Sequence, residues 1–317
     1  MRPADPSPHV AALVLSYNGR QLTLDALASL ARMDYPACDL WLVDNGSTDG
    51  TSEAVAAAFP TVRRVRIERN QGAANGVCAG MRLALLEAYD YLLVLNNDIE
   101  VDPAMLTEMV RVAERDPKIG AVGPKCYYFD SPQTIWSAGG WLRFAEAITR
   151  ERGQGETDRG QFDRDEEVDY VNGCAMLIRR GAIEAAGLWD PIYFLCFEDA
   201  DFCVRVKRRG FVCYYSHRAK LWHRVSAATG GYAPGKTFHS GRSTAIFVRR
   251  HGSRRQRLRA LAWMLLALPA AFLRELPRRN TRAVAAKLRG YLAGWRAPLP
   301  APPAAPAASH GERRGSA

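Results

Sequence analysis

Val10-Ala11-Ala12-Leu13-Val14-Leu15-Ser16-Tyr17-Asn18-Gly19 opens the informative part of the chain, an apolar run of strand length that stops at a polar Asn-Gly break. A helix-like stretch from Gln21 to Met33 follows, and then the pattern repeats. Leu40 to Val43 is a second short apolar run, Ser52 to Phe59 a helix, Val62 to Ile67 an alternating strand, Ala79 to Ala88 a helix and Tyr91 to Leu95 a fourth strand. Strands that alternate with helices and are nearly all apolar are covered on both faces, so the expected fold is α/β with a mainly parallel central sheet and flanking helices. Ligands of such sheets bind beyond the carboxyl ends of the strands. Three polar segments sit there: Ser16-Tyr17-Asn18, Asp44-Asn45-Gly46-Ser47 and Asn96-Asn97-Asp98.

Further along, Asp102 before Pro103 reads as the N-cap and first position of a helix running to about Arg115, which leaves Asp98 on a loop. Between Arg143 and Asp169 the chain is charged and Gly-containing with little periodicity, so an exposed, mobile loop is expected. Cys174 to Ile178 then reads as a strand, Ala182 to Ala186 as a short helix, Asp199 to Arg209 as an amphipathic helix and Phe211 to Tyr215 as a strand, with His223 on a further short segment.

At 317 residues, 48% hydrophobic and 24% charged, the chain can bury a sizeable core and is neither fibrous nor disordered. Its net charge of +10 is a property of one end. Residues 249–317 hold 15 Lys or Arg against Glu275 and Glu312, which leaves the preceding body mildly acidic and argues against nucleic acid as a partner. Seven scattered cysteines without a Cys-x-x-Cys pair indicate neither a disulfide framework nor a zinc ribbon and suit a reducing, cytoplasmic setting. Neither a secretory signal nor a membrane-spanning run is visible.

Among chemistry-bearing groups, Asn96-Asn97-Asp98 can place a carboxylate on a magnesium or manganese ion already held by a diphosphate, because hard oxygen ligands suit such ions. Asn and Asp are also ordinary turn residues. Glu198-Asp199-Ala200-Asp201 packs three carboxylates into four residues; a helix dipole and an Asp201–Arg205 pair at i,i+4 account for part of this. The apolar lead-in Tyr193-Phe194-Leu195-Cys196-Phe197 would partly desolvate a carboxylate and raise its basicity, as a general base requires. Asp44, first beyond the second strand, is placed to accept a hydrogen bond from a ligand. His223 beside Trp222 gains interest only if Asp98 lies nearby. No Gly-x-Gly-x-x-Gly follows the first strand, and the chain has no phosphate loop, nucleophile elbow or His-Glu-x-x-His helix.

Taken in order, Val14-Leu15-Ser16-Tyr17-Asn18-Gly19, Val43-Asp44-Asn45-Gly46-Ser47-Thr48-Asp49-Gly50, Leu95-Asn96-Asn97-Asp98, Asn172-Gly173-Cys174-Ala175-Met176 and Phe197-Glu198-Asp199-Ala200-Asp201-Phe202 resemble the family 2 glycosyltransferases, particularly the rhamnosyltransferase-like branch. The resemblance covers residues 10 to about 250. It implies a GT-A fold and an inverting transfer of a sugar, rhamnose among the candidates, from a dTDP- or UDP-sugar to a hydroxyl of a lipid-linked or polysaccharide acceptor in cell-surface glycan synthesis. By position it implies that Ser16, Tyr17, Asn18, Asp44, Asn45 and Asn97 hold the donor nucleotide, and that Asp98 and His223 bind a divalent cation. Asp199 matches the catalytic base, with Glu198 and Asp201 shaping its surroundings, while Asn172, Gly173, Trp222 and Arg242 border the sugar and acceptor. Asn70-Gln71-Gly72-Ala73-Ala74 and Ser243, where relatives carry asparagine, depart from the common pattern. A non-catalytic sugar-nucleotide-binding scaffold is the competing reading.

The expected organisation is a catalytic domain over residues 1–248, a basic amphipathic helical extension over 249–297 and a disordered tail over 298–317. In the extension, the apolar stretch from Leu261 to Leu273 is interrupted by Pro269 and flanked by arginines. Such a helix suits an anionic membrane surface and places the protein at the inner face of the cell membrane, although its apolar face could instead pack on the domain.

Overall fold

The computed structural model describes residues 7–144, 148–225 and 232–306. The first half alternates strands and helices: β1 (Val10–Ser16), α1 (Arg20–Leu30), β2 (Cys38–Asp44), α2 (Thr51–Ala58), β3 (Arg63–Arg66), α3 (Ala73–Ala84) and β4 (Tyr91–Asn96). There follow β5 (Ile99–Val101), α4 (Met105–Ala113), β6 (Ile119–Tyr128), β7 (Ser131–Ser137), β8 (Gly140–Leu142), β9 (Thr149–Glu151) and β10 (Glu166–Val168). The second half ends in β11 (Ala175–Arg179), α5 (Arg180–Ala186), α6 (Glu198–Arg208), β12 (Val212–His223), α7 (Pro234–His251), α8 (Arg254–Glu275) and α9 (Thr281–Arg296).

The main sheet runs β10-β12-β6-β11-β4-β1-β2-β3. Strands β4, β1, β2 and β3 are parallel, as are β12 and β6, whereas β11 inserts antiparallel between β4 and β6. Alternate residues of the central strands feed two cores. Leu13, Val43, Val94 and Ile178 point to the side covered by α3, α6 and α7, and Val14, Leu42, Leu93 and Leu177 to the side covered by α1 and α4. Gly80 lets α3 approach β2, because a Cβ there would stand 2.6 Å from Val43 Cγ2.

Three expectations change. The segment expected to be a mobile loop, apart from residues 145–147, which lie outside the described residues, contains β9 and β10 and is pinned from below. The fully buried Lys125 donates to Asp158 (2.9 Å) and Asp163 (2.6 Å). His223 closes the long strand β12 and so sits in the main sheet rather than on a separate segment. Residues 298–306 of the expected disordered tail are bonded to the body: Pro303 O accepts from Leu188 N at 2.9 Å, and Pro300 O from Arg250 Nη2 at 2.9 Å. Residues 307–317 lie outside the described residues.

The body and the extension meet inside α7, which runs unbroken through residue 248. Gly241, Gly290 and Gly294 bring α7 and α9 into backbone contact; a Cβ on Gly290 would lie 2.1 Å from Phe238 O. Helix α8 opens with a capping box at Ser253 and Gln256 and buries only Ala260, Met264 and Glu275. No described helix is long and apolar enough to cross a membrane.

Candidate active site

The parallel strands deliver their carboxyl ends to one edge, and the polar segments gather there. Asp44 closes β2, fully buried; its Oδ1 accepts from Ser47 N at 2.8 Å. Its Oδ2 has no hydrogen-bond partner among the described residues, the nearest cation being Arg66 Nη1 at 3.9 Å. A buried carboxylate oxygen without a donor is costly, and a ligand N–H would satisfy it. Tyr17 is 44% exposed above this edge, and Asn18, held at φ 47°, accepts from Thr48 N at 2.8 Å through Oδ1.

Two of the expected nucleotide ligands are already engaged. Asn45 donates from Nδ2 to Asn70 Oδ1 and Gly72 O, each at 3.1 Å, and accepts from Gln71 N at 3.2 Å. Its amide therefore shapes the turn ahead of α3. Asn97 Nδ2 donates to Ser16 Oγ (3.2 Å) and Thr23 Oγ1 (3.0 Å), locking β4 to β1 and α1. Gly19 is needed there, since a Cβ would lie 2.5 Å from Asn97 Nδ2.

Asp98 and His223 meet. Asp98 Oδ1 lies 3.0 Å from His223 Nε2, and Asp98 O accepts from Arg224 N at 2.8 Å, so the end of β12 folds over the β4–β5 turn. The imidazole packs edge-on against Trp136, and its Nδ1 is buried without a partner among the described residues. Trp222, one residue earlier, faces the other side of β12, where it stacks on Tyr127 and donates to Pro132 O at 3.3 Å; the structure removes it from the site.

The carboxylate cluster approaches from the opposite wall. Gly173 precedes β11, whose Ala175 pairs with Leu95 just before Asn96 and Asn97. Gly173 N donates to Asp199 Oδ2 at 2.8 Å, and a Cβ on Gly173 would lie 3.3 Å from Asp199 Cβ, so glycine makes room for the carboxylate. Burial raises the pKa of Asp199 while the amides of Gly173 and Ala200 pull it down; the net direction is up. Behind it, Glu198 is buried, and burial followed by the charge of Asp199 pushes it up to about 8. The backbone leading in is strained: Cys196 and Phe197 take φ of 68° and 72°. Helix α7 props this turn, with Ser243 Oγ donating to Leu195 O at 2.9 Å, Arg242 Nη1 donating to Ile192 O and His239 stacked on Phe194 at 4.1 Å. Serine thus fills a supporting role at the position where asparagine was expected.

Asp201 turns away. It is fully buried and receives Arg205 Nε (2.8 Å), Tyr193 OH (3.1 Å) and His251 Nε2 (2.7 Å), with Arg250 Nη1 at 3.3 Å. Burial would raise its pKa, but His251 and Arg205 hold it well below the usual carboxylate range. Asp201 fastens α6 to α7 rather than lining the site.

One residue of the site was missed in the sequence. Glu151 at the end of β9 accepts from Asn172 Nδ2 (3.0 Å), Tyr170 OH (2.7 Å) and Ser137 Oγ. It orients Asn172, whose Oδ1 accepts from Cys174 N at 2.9 Å, and so shapes the backbone that presents Gly173 to Asp199. Burial is the main reason its pKa is raised.

A buried carboxylate oxygen without a donor at β2, a carboxylate–imidazole pair at the end of β4 and a half-buried carboxylate across a glycine gap gather at the carboxyl edge of the sheet. The sequence model of glycosyl transferase family 2 matches residues 12–187. The chain belongs to that family. It is 27% identical over 252 residues to an N-acetylglucosaminyl-diphospho-decaprenol L-rhamnosyltransferase of Mycobacterium tuberculosis, an alignment covering 70% of this chain and 78% of the relative. Among solved structures, a mannosyltransferase of Pyrobaculum calidifontis in complex with GDP-Man and Mn2+ superimposes with a TM-score of 0.56 at 16% identity, covering 90% of this chain and 87% of that one. GalNAc-T7 with UDP, GalNAc and Mn2+ superimposes with a TM-score of 0.61 at 15% identity over 76% of this chain, which spans about half (48%) of that protein. The shared architecture is the GT-A fold, and the chain is a glycosyltransferase.

Proposed function

We propose that this glycosyltransferase moves a sugar, with inversion, from a nucleoside-diphosphate sugar to a hydroxyl of a lipid-linked or polysaccharide acceptor in cell-surface glycan synthesis. The observation that carries the reading is Asp199, half-buried, made more basic by its surroundings and held by the Gly173 amide across from the carboxyl end of β4. In an inverting displacement one base takes the acceptor proton while the anomeric carbon changes partners. Asp199 serves as that base, Gly173 N–H holds its carboxylate in place, and Asp44 Oδ2 accepts an N–H of the nucleobase.

A divalent cation fits the donor set. Asp98 and His223 supply one oxygen and one nitrogen at a buried corner, too few for an all-protein cage but suited to an ion completed by diphosphate oxygens and water. Held there by Asp98 and His223, a bound ion would supply positive charge against that of the nucleoside diphosphate. Rhamnose as the donor sugar is supported by the name of the mycobacterial relative. Residues 1–248 form the catalytic unit in this reading and residues 249–297 a basic helical extension that rests on the inner face of the cell membrane, where Leu265 (64% exposed), Leu266 (66%) and Leu273 (68%) face outward among arginines.

The test is Asp199→Asn assayed on a panel of dTDP-, UDP- and GDP-sugars with manganese present. Turnover should fall by about 10² to 10⁴ while nucleotide affinity holds. Undiminished turnover would refute the assignment, and binding without turnover in both proteins would support a scaffold instead.

A further inference from the structure

Past α9 the chain returns to the catalytic half and docks on the segment that carries Asp199. Five of residues 298–306 are proline, whose fixed φ leaves this strap fewer conformations to lose on docking. Leu188 N donates to Pro303 O at 2.9 Å, and Ala305 packs against the main core. Gly187, at φ 81°, admits the strap, because a Cβ there would stand 2.6 Å from Pro303 O. Gly187 and Leu188 open the connection between α5 and α6. The strap buries little of its own surface: Pro298, Pro300, Ala301 and Ala304 are exposed. Its contribution therefore lies in the groups its carbonyls hold rather than in added core.

The second of these groups is Arg250, near the end of α7. Its Nη2 donates to Pro300 O at 2.9 Å, while its Nη1 reaches Asp190 Oδ2 (2.5 Å) and Asp201 Oδ1 (3.3 Å). Asp190 is buried and builds the turn that follows, its Oδ1 accepting from Ile192 N at 2.9 Å and its carbonyl from Tyr193 N at 3.1 Å. From this turn the chain runs through the left-handed Cys196 and Phe197 to Asp199, and Asp201 lies just beyond. One guanidinium thus grips the loop on either side of Asp199. Arginine suits the task, since its planar fork holds two carboxylates and a carbonyl at set angles where an ammonium offers a single point charge.

We propose that Arg250 is a positioning residue for Asp199 and that the 298–306 strap holds it in place. Docked, the strap fixes the guanidinium against Asp190 and Asp201, and the loop between them keeps Asp199 aligned on the acceptor hydroxyl. The role rests on the transferase reading above and carries the catalytic unit past residue 248. Alignment of this kind acts on turnover more than on donor binding, because Asp44, Asp98 and His223 stand on other elements. A displacement of about 1 Å at a reacting group costs about 10² in rate.

The test uses two variants of the full chain: Ala305→Asp, which sets a charge where the strap packs on the core, and Arg250→Lys. Amide hydrogen exchange reads the docking of the strap at Leu188 and the order of the loop over residues 190–197, steady-state kinetics read kcat and donor KM, and UDP titration reports the nucleotide site. Ala305→Asp should speed exchange at Leu188 and in the loop and lower kcat about tenfold or more, with donor KM within about twofold. Arg250→Lys should speed exchange in the loop and lower kcat to the same degree while Leu188 stays protected. Fast exchange at Leu188 with native loop exchange and native kcat overturns the role of the strap, and native kcat in Arg250→Lys overturns that of Arg250. UDP affinity that falls in step with kcat overturns positioning in favour of general damage to the fold. If the native chain turns over no sugar nucleotide, the transferase reading fails by itself, whereas exchange over 190–197 still decides whether the strap and Arg250 order this loop.

Discussion

Replacing Glu198 by glutamine isolates the cost of keeping a second carboxyl beside Asp199. Glu198 Oε2 is buried with no partner among the described residues, and burial, followed by the charge of Asp199, raises the group from 4.5 to about 8. A carboxyl raised in this way stabilises the fold fully below its unfolded pKa, and that contribution drains away as pH climbs toward the folded value. The gap between 4.5 and about 8 sets a ceiling of about 5 kcal/mol. Between pH 5 and pH 9 the native protein should therefore lose about 4 kcal/mol relative to Glu198→Gln. With an unfolding entropy of about 2.1 cal/mol/K per residue, this corresponds to about 6 °C in Tm for a chain of this length. Differential scanning calorimetry of both proteins at pH 5, 7 and 9 measures it. The variant should gain on the native protein steadily as pH rises; melting temperatures that stay parallel across the range would show that Glu198 is ionised and compensated in the fold, which refutes its assignment as a neutral carboxyl.

Asp201→Ala should destabilise the protein by about 3 to 5 kcal/mol, because it leaves Arg205, Arg250 and His251 facing one another without their shared carboxylate; chemical denaturation midpoints check this. Gly72→Ala should lower both Tm and kcat, since Gly72 sits at φ +90° with a prospective Cβ 2.5 Å from Phe194 O, in the strand of backbone that leads to Asp199. The double change Leu265→Glu and Leu266→Glu should abolish sedimentation with anionic vesicles and leave the melting temperature within about 1 °C, as both side chains are mostly exposed. Sedimentation that persists would mean another surface carries the membrane contact.

What could be read from the sequence was what local periodicity encodes. The apolar runs that became β1, β2 and β4 are buried on both faces, so they carry the signal within themselves, and their polar ends marked where Asp44 and Asp98 would stand. Strand β6 escaped because Gly120, Gly123, Pro124 and Lys125 interrupt its apolar pattern for reasons lying far along the chain. A Cβ at Gly123 would meet Val171 Cγ1 at 2.3 Å, and the buried charge of Lys125 is offset by Asp158 and Asp163. Glu151 was hidden in the same way, its partners Ser137, Tyr170 and Asn172 coming from two other segments, the end of β7 and the connection before β11.

Position at a strand end selects which residues can reach a ligand, but hydrogen bonding decides which of them are free to do so. Asn45 and Asn97 stand where nucleotide contacts belong, yet their amide donors are spent on Asn70, Gly72, Ser16 and Thr23. Asp44 keeps one buried oxygen open, and Asp199 keeps a half-buried carboxylate with backbone amides as its donors. The same test separates the acidic cluster: Asp201 is saturated by cations from α6 and α7, Glu198 has one buried oxygen, Oε2, without a donor among the described residues and favours its neutral form, and Asp199 alone is both supported and accessible. Three carboxylates within four residues thus hold three different jobs, set by the donors that the fold brings to each.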